Sequence, residues 1–423
     1  MSLLAELRWR GMLADVSAGT EEHLTQCRTG YIGFDPTAAS LHVGNLVQIM
    51  MLVHFQRAGH RPIALIGGAT ALIGDPSGKS EERPLLDRQA VIDNQQAIAA
   101  QLARFLDFSS GRDGALLLNN HDWLSSVRLL DFLRDIGKHV SINYMMAKDA
   151  VRNRLEAGLS FTEFSYQLLQ AYDFHYLSEH YQCTVQMGGA DQWGNITAGI
   201  ELARRLSGRQ LFALTSPLLI RSDGKKFGKS EEGNIWLDRR LTSPYRFYQF
   251  WINLSDEEAQ KCLRTFTLLS QAEVEALEQQ HRQRPEQRIL QQVLARDLTT
   301  RVHSADDASR AARTAALLFG NGTGEDLLQL DEADFDMIRD TLPHGSINRS
   351  SLENGLDIIR LVTEETGFLP SRSEARRLLQ SQGLSLNKKP VAEGQIVRAE
   401  HLLHNRYLLL QRGKKNYFLV IAD

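Results

Sequence analysis

The chain has 423 residues, of which 43% are hydrophobic and 23% charged, and its formal net charge is −3. This length allows two or three globular domains with ample cores, and the charge excludes a chain that is basic throughout, so any contact with RNA must come from local patches. The three cysteines lie too far apart for a metal site or a disulfide framework, and no segment has the pattern of a membrane span or a signal peptide.

The first informative element is a predicted buried strand over Gly30–Phe34, which Asp35-Pro36-Thr37 interrupts. An apolar run follows as far as Phe55 and predicts a helix with Ser40 as its N-cap. A strand followed by a helix places the connecting residues at the edge of a parallel sheet, where ligands bind.

His42, Gly44 and Asn45 lie at the start of this predicted helix, in the sequence His-Val-Gly-Asn. A helix N-terminus presents free N–H groups to a phosphate, and Gly44 lets a flat ligand lie against the backbone. His42 and Asn45 can donate hydrogen bonds to phosphate or ribose oxygens. The alternative is an ordinary strand–helix unit with a surface histidine.

A second predicted strand, Arg61–Ile66, runs into a glycine-rich loop, and the strand–helix–strand spacing predicts a parallel, doubly wound α/β sheet. The loop imitates a P-loop, but only three residues separate Gly74 from Gly78, and Pro76 lacks an N–H. We therefore interpret it as backbone that lines a substrate pocket, with Asp75 pointing inwards. The alternatives are a turn aspartate and a P-loop.

The next segments predict a helix near Asp87–Leu106, a strand over Ala115–Asn120, and two amphipathic stretches, Leu129–Ile136 and Val140–Met146. The large apolar residues of these stretches belong either to the core or to a subunit interface.

On a predicted helix over Phe161–Tyr176, the residues Tyr166, Gln170 and Asp173 share one face. Considered alone, this polar face is predicted to lie at the surface. If it faces the sheet instead, all three groups require partners, which a polar ligand would supply.

Two further strands are predicted, over Cys183–Met187 and Leu211–Leu218. Just past the end of the first lies Asp191, a carboxylate suited to ribose hydroxyls at a strand end. The second leads to the lysine-rich loop Lys225–Ser230. Considered alone, this loop is predicted to be a solvent-exposed surface.

The character of the chain changes at Ser243, where an aromatic helix and a long helical run predict a helical domain, followed by an acidic, turn-rich linker. From Ser371 to Asp423, ten lysines and arginines stand against four acids, which indicates a surface for nucleic acid. The alternative is a solvated basic surface.

The sequences His-Val-Gly-Asn (42–45) and Lys-Phe-Gly-Lys-Ser (226–230) resemble the two signatures of class I aminoacyl-tRNA synthetases. Together with segments 67–77, 161–174 and 186–195 and the basic C-terminal segment, they make the chain closely similar to the bacterial-type tyrosyl-tRNA synthetases. The resemblance implies a Rossmann-like parallel-sheet catalytic domain (1–222), a mobile signature loop (223–242), an α-helical anticodon-binding domain (243–320), a linker (321–355) and a small α+β RNA-binding domain (356–423).

The reaction implied by the resemblance activates L-tyrosine with ATP to tyrosyl-adenylate and transfers the tyrosyl group to the 3′ end of tRNA(Tyr). ATP enters with Mg²⁺ as a substrate complex, and neither a tightly bound cofactor nor a metal site is expected. The resemblance implies a cytoplasmic homodimer without a membrane partner. The alternative is a mature chain from which a transit peptide has been removed.

The resemblance also assigns site residues. Catalytic contacts are expected from His42, Asn45, Thr37, Lys226, Lys229 and Ser230. Tyrosine contacts are expected from Tyr31, Asp75, Thr70, Tyr166, Gln170, Asp173 and Gln186, with Tyr31 and Asp173 at the phenol hydroxyl. ATP contacts are expected from Gly33, Asp35, His42, Gly44, Gly189, Asp191, Gln192 and Lys229. RNA contacts are expected from Arg372, Arg376, Arg377, Lys388, Arg412, Lys414 and Lys415.

Three positions depart from the family pattern. Asn45 replaces the usual histidine but still donates, Ile32 stands where some relatives carry a polar or thiol group, and Phe227-Gly228 is a variant centre of the second signature.

Two other functions compete with tyrosine activation. A tryptophan-charging relative is disfavoured by the Tyr31/Asp173 pair, because an indole offers only a donor at its far edge. An RNA-binding protein on an inactive synthetase scaffold is disfavoured because the signature residues are intact.

Overall fold

The structure is a computed structural model that describes residues 2–77, 86–109, 111–146, 158–220, 227–230, 233–319, 322–413 and 416–423; for Lys229 and Ser230 it describes only the backbone. The chain forms two compact units, one of residues 1–238 and 254–290 and the other of residues 239–253 and 291–423. Among the described residues, no helix combines the length and apolar character that crossing a bilayer requires.

The first unit is built on a five-stranded parallel sheet in the order β3-β2-β1-β4-β5. Its strands are β1 (Thr29–Phe34), β2 (Arg61–Ile66), β3 (Leu116–Asn119), β4 (Cys183–Gly189) and β5 (Phe212–Ser216). Every neighbouring pair is parallel, which confirms the predicted doubly wound sheet. The central strands are apolar along nearly their whole length because helices cover both faces.

The strand order reverses beside β1, which pairs with β2 on one side and with β4 on the other. The chain therefore winds outwards in both directions from β1. This reversal opens a crevice at the carboxyl ends of the strands, the usual ligand position in such sheets.

The helices of this unit surround the sheet. They are Leu3–Trp9, Thr20–His23, Leu46–Arg57, Arg88–Leu102, His121–Leu124, Leu129–Asp135, Ile142–Met146, Phe161–Tyr181, Trp193–Ser207, Asp256–Phe266 and Gln271–Gln283. Short 3₁₀ turns occur at Val43–Asn45, Thr70–Leu72, Gly137–His139, Ala190–Gln192 and Pro285–Gln287. A two-stranded hairpin pairs β6 (Lys229–Ser230) with β7 (Gly233–Asn234).

The predicted N-cap at Ser40 is wrong. The connection after β1 continues to His42, which caps the turn Val43–Asn45, and the α-helix begins at Leu46. Ser40 is buried, and its Oγ accepts hydrogen bonds from Gln101 Nε2 at 2.9 Å and from the Asp238 N–H at 3.1 Å. A serine has cap chemistry, but here tertiary partners use its hydroxyl.

The outer edge of β5 is covered by the N-terminal segment Ala14–Ser17. The Ala14 N–H donates to the carbonyl of Thr215 at 2.7 Å, and the Thr215 N–H donates to the carbonyl of Asp15 at 2.8 Å. This antiparallel cover removes a free sheet edge.

Two consecutive helices, Leu129–Asp135 and Ile142–Met146, leave large apolar side chains in solvent. Leu130 is 78% exposed and Ile142 is 63% exposed. We call the set Leu129, Leu130, Leu133, Ile142 and Met146 the apolar face. Its exposure shows that these side chains are not core residues of the single chain.

The second unit contains the helices Pro244–Ile252, Ile289–Val302 (whose first two residues count with the first unit), Ala305–Phe319, Gly324–Leu327, Glu332–Arg339, Arg349–Glu353, Ile358–Arg360 and Arg372–Gln380, with a π-helical turn at Leu361–Glu365 and a 3₁₀ turn at Ala399–His401.

Its mixed sheet has the order β11-β10-β13-β14-β8. The strands are β8 (His344–Ile347), β10 (Leu384–Leu386), β11 (Lys389–Pro390), β13 (Tyr407–Arg412) and β14 (Asn416–Ala422), and β9 (Leu356–Asp357) pairs separately with β12 (Ile396–Val397). The Arg372–Gln380 helix packs on an apolar cluster beneath this sheet. The expected helical region and small α+β domain are both present.

Candidate active site

The predicted site residues gather at the carboxyl edge of the first unit's sheet. Asp35 and His42 follow β1, Thr70 and Asp75 follow β2, and Asp191 follows β4. Neighbouring strands in parallel bring these connections to one side of the sheet, so residues distant in the chain line one crevice.

His42 is fixed in orientation by its own turn. The Gly44 N–H donates to His42 Nδ1 at 3.0 Å, and the His42 N–H donates to Asn45 Oδ1 at 3.0 Å. Because Nδ1 accepts, a neutral His42 ring carries its proton on Nε2 and presents a donor there. Asn45 thus acts as a capping partner of His42, a role the sequence did not indicate.

The second signature lies directly on the first. A Cβ added to Gly228 would stand 3.0 Å from the Gly44 nitrogen, and Gly228 has a φ of +85°. The Val43 N–H donates to Ile235 O at 2.9 Å, which ties the two segments together. Lys226 lies outside the described residues, and Lys229 and Ser230 are described only as backbone of β6.

Asp173 lies at the bottom of the crevice with both carboxylate oxygens occupied. Asn120 Nδ2 donates to Oδ2 at 2.9 Å, and Trp123 Nε1 donates to Oδ1 at 2.7 Å. The residue is 2% exposed, and burial raises the pKa of its carboxyl to about 7, against the lowering effect of these two hydrogen bonds. Asp173 is therefore a buried acceptor held in one orientation.

Tyr31 faces the same place. Its hydroxyl is buried and has no hydrogen-bond partner among the described residues, and burial followed by the charge of Asp173 raises the pKa of its phenol. In the sheet, Tyr31 pairs with Gln186 of β4, whose Oε1 is also buried and unpartnered among the described residues. Buried polar atoms of this kind are rare and indicate a ligand or bound water.

Tyr166 also lies inside the fold. Its hydroxyl donates to Asp35 Oδ2 at 2.8 Å, and Thr70 Oγ1 donates to Asp35 Oδ1 at 2.8 Å. The surface interpretation of the Tyr166–Asp173 helix face is therefore wrong, because both residues are buried against the crevice. Asp35, assigned to ATP, is hydrogen-bonded to two residues assigned to tyrosine.

A second polar group surrounds Asp75. Gln192 Nε2 donates to Asp75 Oδ2 at 2.8 Å, and the Ser77 N–H donates to Oδ1 at 2.9 Å. Asn195 Nδ2 donates to Gln170 Oε1 at 3.0 Å. The structure thus brings Asp75, Gln170 and Gln192 together, as the inward-pointing interpretation of Asp75 requires.

Between these groups, glycine residues line the crevice. Gly33 is exposed although it lies in the central strand β1, and an added Cβ would meet nothing within 4 Å. Gly189 ends β4 beside Asp191, whose Oδ1 would stand 2.6 Å from an added Cβ. Thr37 is exposed just after β1. This surface is open and flat enough for a planar group.

The predicted RNA residues lie in the second unit and differ in availability. Arg372, Arg376 and Arg412 are partly exposed but form ion pairs with Glu364, Glu393 and Glu374 respectively. Arg377 is exposed and has no ion-pair partner among the described residues. Lys414 and Lys415 lie outside the described residues.

Lys388 is different from the other basic residues. Its Nζ donates to Leu318 O and Tyr417 Oη, both at 2.7 Å, and burial lowers the pKa of its amine. This lysine is occupied by contacts within its unit.

Sequence reasoning did not assign Asn120, Trp123 or Asn195 to the site. Asn120 and Trp123 follow a predicted strand end, and this position is the same signal that identified Asp191. Asn195 begins no motif and is recognised only through its contacts with Gln170 and Ser77.

Two known protein families match parts of this chain. The family described as tRNA synthetases class I (W and Y) matches residues 26–320, and the tyrosine--tRNA ligase SYY-like C-terminal domain matches residues 335–420. The chain is 54% identical to a tyrosine--tRNA ligase of Parabacteroides distasonis over 100% of both chains, and 52% identical to one of Cytophaga hutchinsonii over 99% of both. A solved, C-terminally truncated mitochondrial tyrosyl-tRNA synthetase of Aspergillus nidulans is 30% identical, with a TM-score of 0.68, over 75% of this chain and 94% of that one.

Proposed function

Because the chain belongs to the class I tRNA synthetases, and within them to the tyrosine--tRNA ligases, we propose that the crevice activates L-tyrosine with ATP and transfers it to the 3′ end of tRNA(Tyr). The observation that carries this proposal is the Tyr31 hydroxyl, which lies beside the fixed Asp173 carboxylate and has no hydrogen-bond partner among the described residues. A phenol hydroxyl both donates and accepts, so tyrosine satisfies the two groups together.

The first step forms one bond and breaks one. A carboxylate oxygen of tyrosine attacks the α-phosphorus of ATP, and the bond to the pyrophosphate oxygen breaks. The chain contributes position and charge stabilisation rather than a nucleophile. His42 Nε2 and Thr37 face the phosphates, and Lys226 and Lys229 hold the departing pyrophosphate, which leaves with the Mg²⁺ that entered with ATP.

Different residues bind the adenosine end and the tyrosine end of the adenylate. Asp191 and Gly189 receive the ribose, and the open surface at Gly33 receives the planar base. The tyrosine α-amino group lies among Tyr166, Gln170 and Asp75, whose oxygens supply acceptors. In the second step a hydroxyl of the terminal adenosine attacks the tyrosyl carbonyl, and AMP leaves.

The phenol end determines which amino acid is accepted. Tyrosyl-tRNA synthetase is the standard example of an enzyme that rejects an analogue lacking one hydroxyl, here phenylalanine. Phenylalanine would leave the Tyr31 hydroxyl without a ligand partner and would offer Asp173 no donor. Tryptophan would offer only a donor to this pair.

The test is amino-acid-dependent ATP–pyrophosphate exchange with Mg²⁺, run with all twenty amino acids. Exchange with tyrosine alone supports the proposal. Exchange with tryptophan instead would overturn the phenol assignment, and no exchange with any amino acid would favour an RNA-binding role for the second unit.

We further propose that the protein acts as a homodimer in the cytoplasm. The apolar face supports the dimer, because two consecutive helices leave five large apolar side chains exposed and a large exposed apolar surface marks an interaction site. Three free cysteines agree with a reducing compartment.

A further inference from the structure

Arg10 is a buried cation far in sequence from both signatures. It ends the first helix, is 3% exposed, and its Nε donates to Glu6 Oε1 at 2.7 Å. Three further N–H groups donate to backbone carbonyls about 255 residues later in the chain: Nη1 to Arg264 O at 2.7 Å and Thr267 O at 2.8 Å, and Nη2 to Leu269 O at 2.6 Å.

These carbonyls belong to the carboxyl end of the helix Asp256–Phe266 and the turn after it. The last carbonyls of a helix lack partners within it, and a cation there is favourable. Burial lowers the pKa of the Arg10 guanidinium, so placing it here has a desolvation cost that the three carbonyls and Glu6 offset. A single buried side chain thus hydrogen-bonds the carboxyl end of this helix and the turn after it.

The same helix end contacts the second signature. Phe266 is fully buried, and its ring centroid lies 6.2 Å from that of Phe227, with 24° between the ring planes. Phe227 is followed by Gly228, which lies against Gly44. Arg10 therefore hydrogen-bonds the end of the helix that carries Phe266, and Phe266 packs on Phe227. The residue after Phe227 lies against the turn that orients His42.

We propose that Arg10 is a positioning residue for the second signature: it anchors the end of the helix Asp256–Phe266, and Phe266 in turn holds Phe227 and Gly228 on Gly44. This inference rests on the proposed function. Arg10 touches neither the tyrosine pocket nor the ribose site, so its effect is confined to the phosphate side of the reaction.

The test compares full-length Arg10→Met with Leu7→Ala. Leu7 is fully buried in the same N-terminal helix and makes a matched control for loss of stability there. We expect Arg10→Met to lower kcat for tyrosine-dependent pyrophosphate exchange by about tenfold or more, because misplacement of reacting groups by less than 1 Å has effects of this size. We expect the dissociation constant for tyrosine to stay within about twofold, and Leu7→Ala at a similar loss of Tm to keep its kcat.

Equal losses of kcat in both variants, or an unchanged kcat in Arg10→Met, would overturn the inference. If Arg10→Met does not fold, Phe266→Leu replaces it, since this variant keeps the guanidinium and removes the ring contact. It must show the same loss of kcat with unchanged tyrosine binding. Absence of tyrosine-dependent exchange in the unsubstituted protein is a separate outcome and would overturn the proposed function.

Discussion

The hydroxyl of Tyr31, which we propose recognises tyrosine, also has a cost in stability. It is buried beside Asp173 and has no hydrogen-bond partner in the part of the chain that the structure describes, and a buried unpaired polar group costs about 1–3 kcal/mol. We therefore expect the bound ligand to supply the partner of this hydroxyl.

Tyr31→Phe separates these two effects. We expect the Tm without tyrosine to stay equal or rise, while the KM for tyrosine increases by about 2- to 15-fold, the equivalent of one neutral hydrogen bond. Thermal unfolding and exchange kinetics check both. A fall in Tm with unchanged KM would show that the hydroxyl has a partner in the protein.

The ionisation of Asp173 predicts a pH dependence of stability. In the folded chain, burial raises the pKa of Asp173 to about 7, whereas the pKa of an aspartate in an unfolded chain is about 3.9. The folded chain therefore binds the proton more tightly, and this contribution to stability is full below about pH 4 and is lost as the pH rises through 7.

Asp173→Asn removes that dependence. We expect a lower Tm overall, because an amide cannot accept from both Asn120 and Trp123, but a flatter change of Tm between pH 5 and 8 than in the parent protein. Tm measured across this range in the absence of tyrosine checks it. Parallel curves for the two proteins would show that Asp173 is ionised throughout.

At the scale of elements, the contact between the two signatures depends on Gly228. A side chain there meets the Gly44 nitrogen, and the positive φ adds strain of about 1 kcal/mol. We expect Gly228→Ala to reduce pyrophosphate exchange at least about tenfold while tyrosine binding is retained.

Gly59→Ala is the matched control. Gly59 has a φ of +82°, and an added Cβ would meet nothing within 4 Å. The Gly59→Ala substitution introduces similar backbone strain but no close contact of the new Cβ with a neighbouring atom, so we expect pyrophosphate exchange to persist. Equal loss in both variants would attribute the effect to strain alone.

The sequence predicted elements better than their ends or their surroundings. The strands β1 and β2 were recognisable because parallel strands buried on both faces are continuous apolar runs. The start of the helix after β1 was not, because Ser40 has cap chemistry that its tertiary partners use instead. Polar residues spaced like Tyr166 and Asp173 look the same whether they face solvent or a ligand, so their burial followed from the family resemblance and not from the helix itself.

At the scale of the whole molecule, the apolar face predicts association. We expect Leu130→Asp to shift the protein from dimer to monomer in sedimentation velocity, because the charge would be buried in the interface. Leu328→Asp, at a leucine that is 62% exposed in the second unit, serves as the control and should leave the dimer intact. An unchanged mass for Leu130→Asp would place the interface elsewhere.

The second unit predicts a separation of the two reaction steps. We expect Arg377→Glu to raise the KM for tRNA several-fold and to weaken its salt dependence, since one phosphate contact is lost, while pyrophosphate exchange is unchanged. Arg372→Glu should have a smaller effect, because Glu364 already neutralises that arginine. Loss of exchange in Arg377→Glu would contradict a role confined to tRNA.

The cover of the β5 edge by Ala14–Ser17 has a consequence for synthesis. Asp15 and Thr215 pair across 200 residues, so the segment Ala14–Ser17 waits until the last strand of the sheet has been synthesised. At about 5–20 residues per second, that delay is on the order of 10 to 40 s. Throughout it the N-terminal segment has unpaired backbone groups, and β1 lacks its neighbour β4 until residue 183 has emerged. The sheet of the first unit is therefore complete only after β5 has been synthesised and the segment Ala14–Ser17 has paired with it.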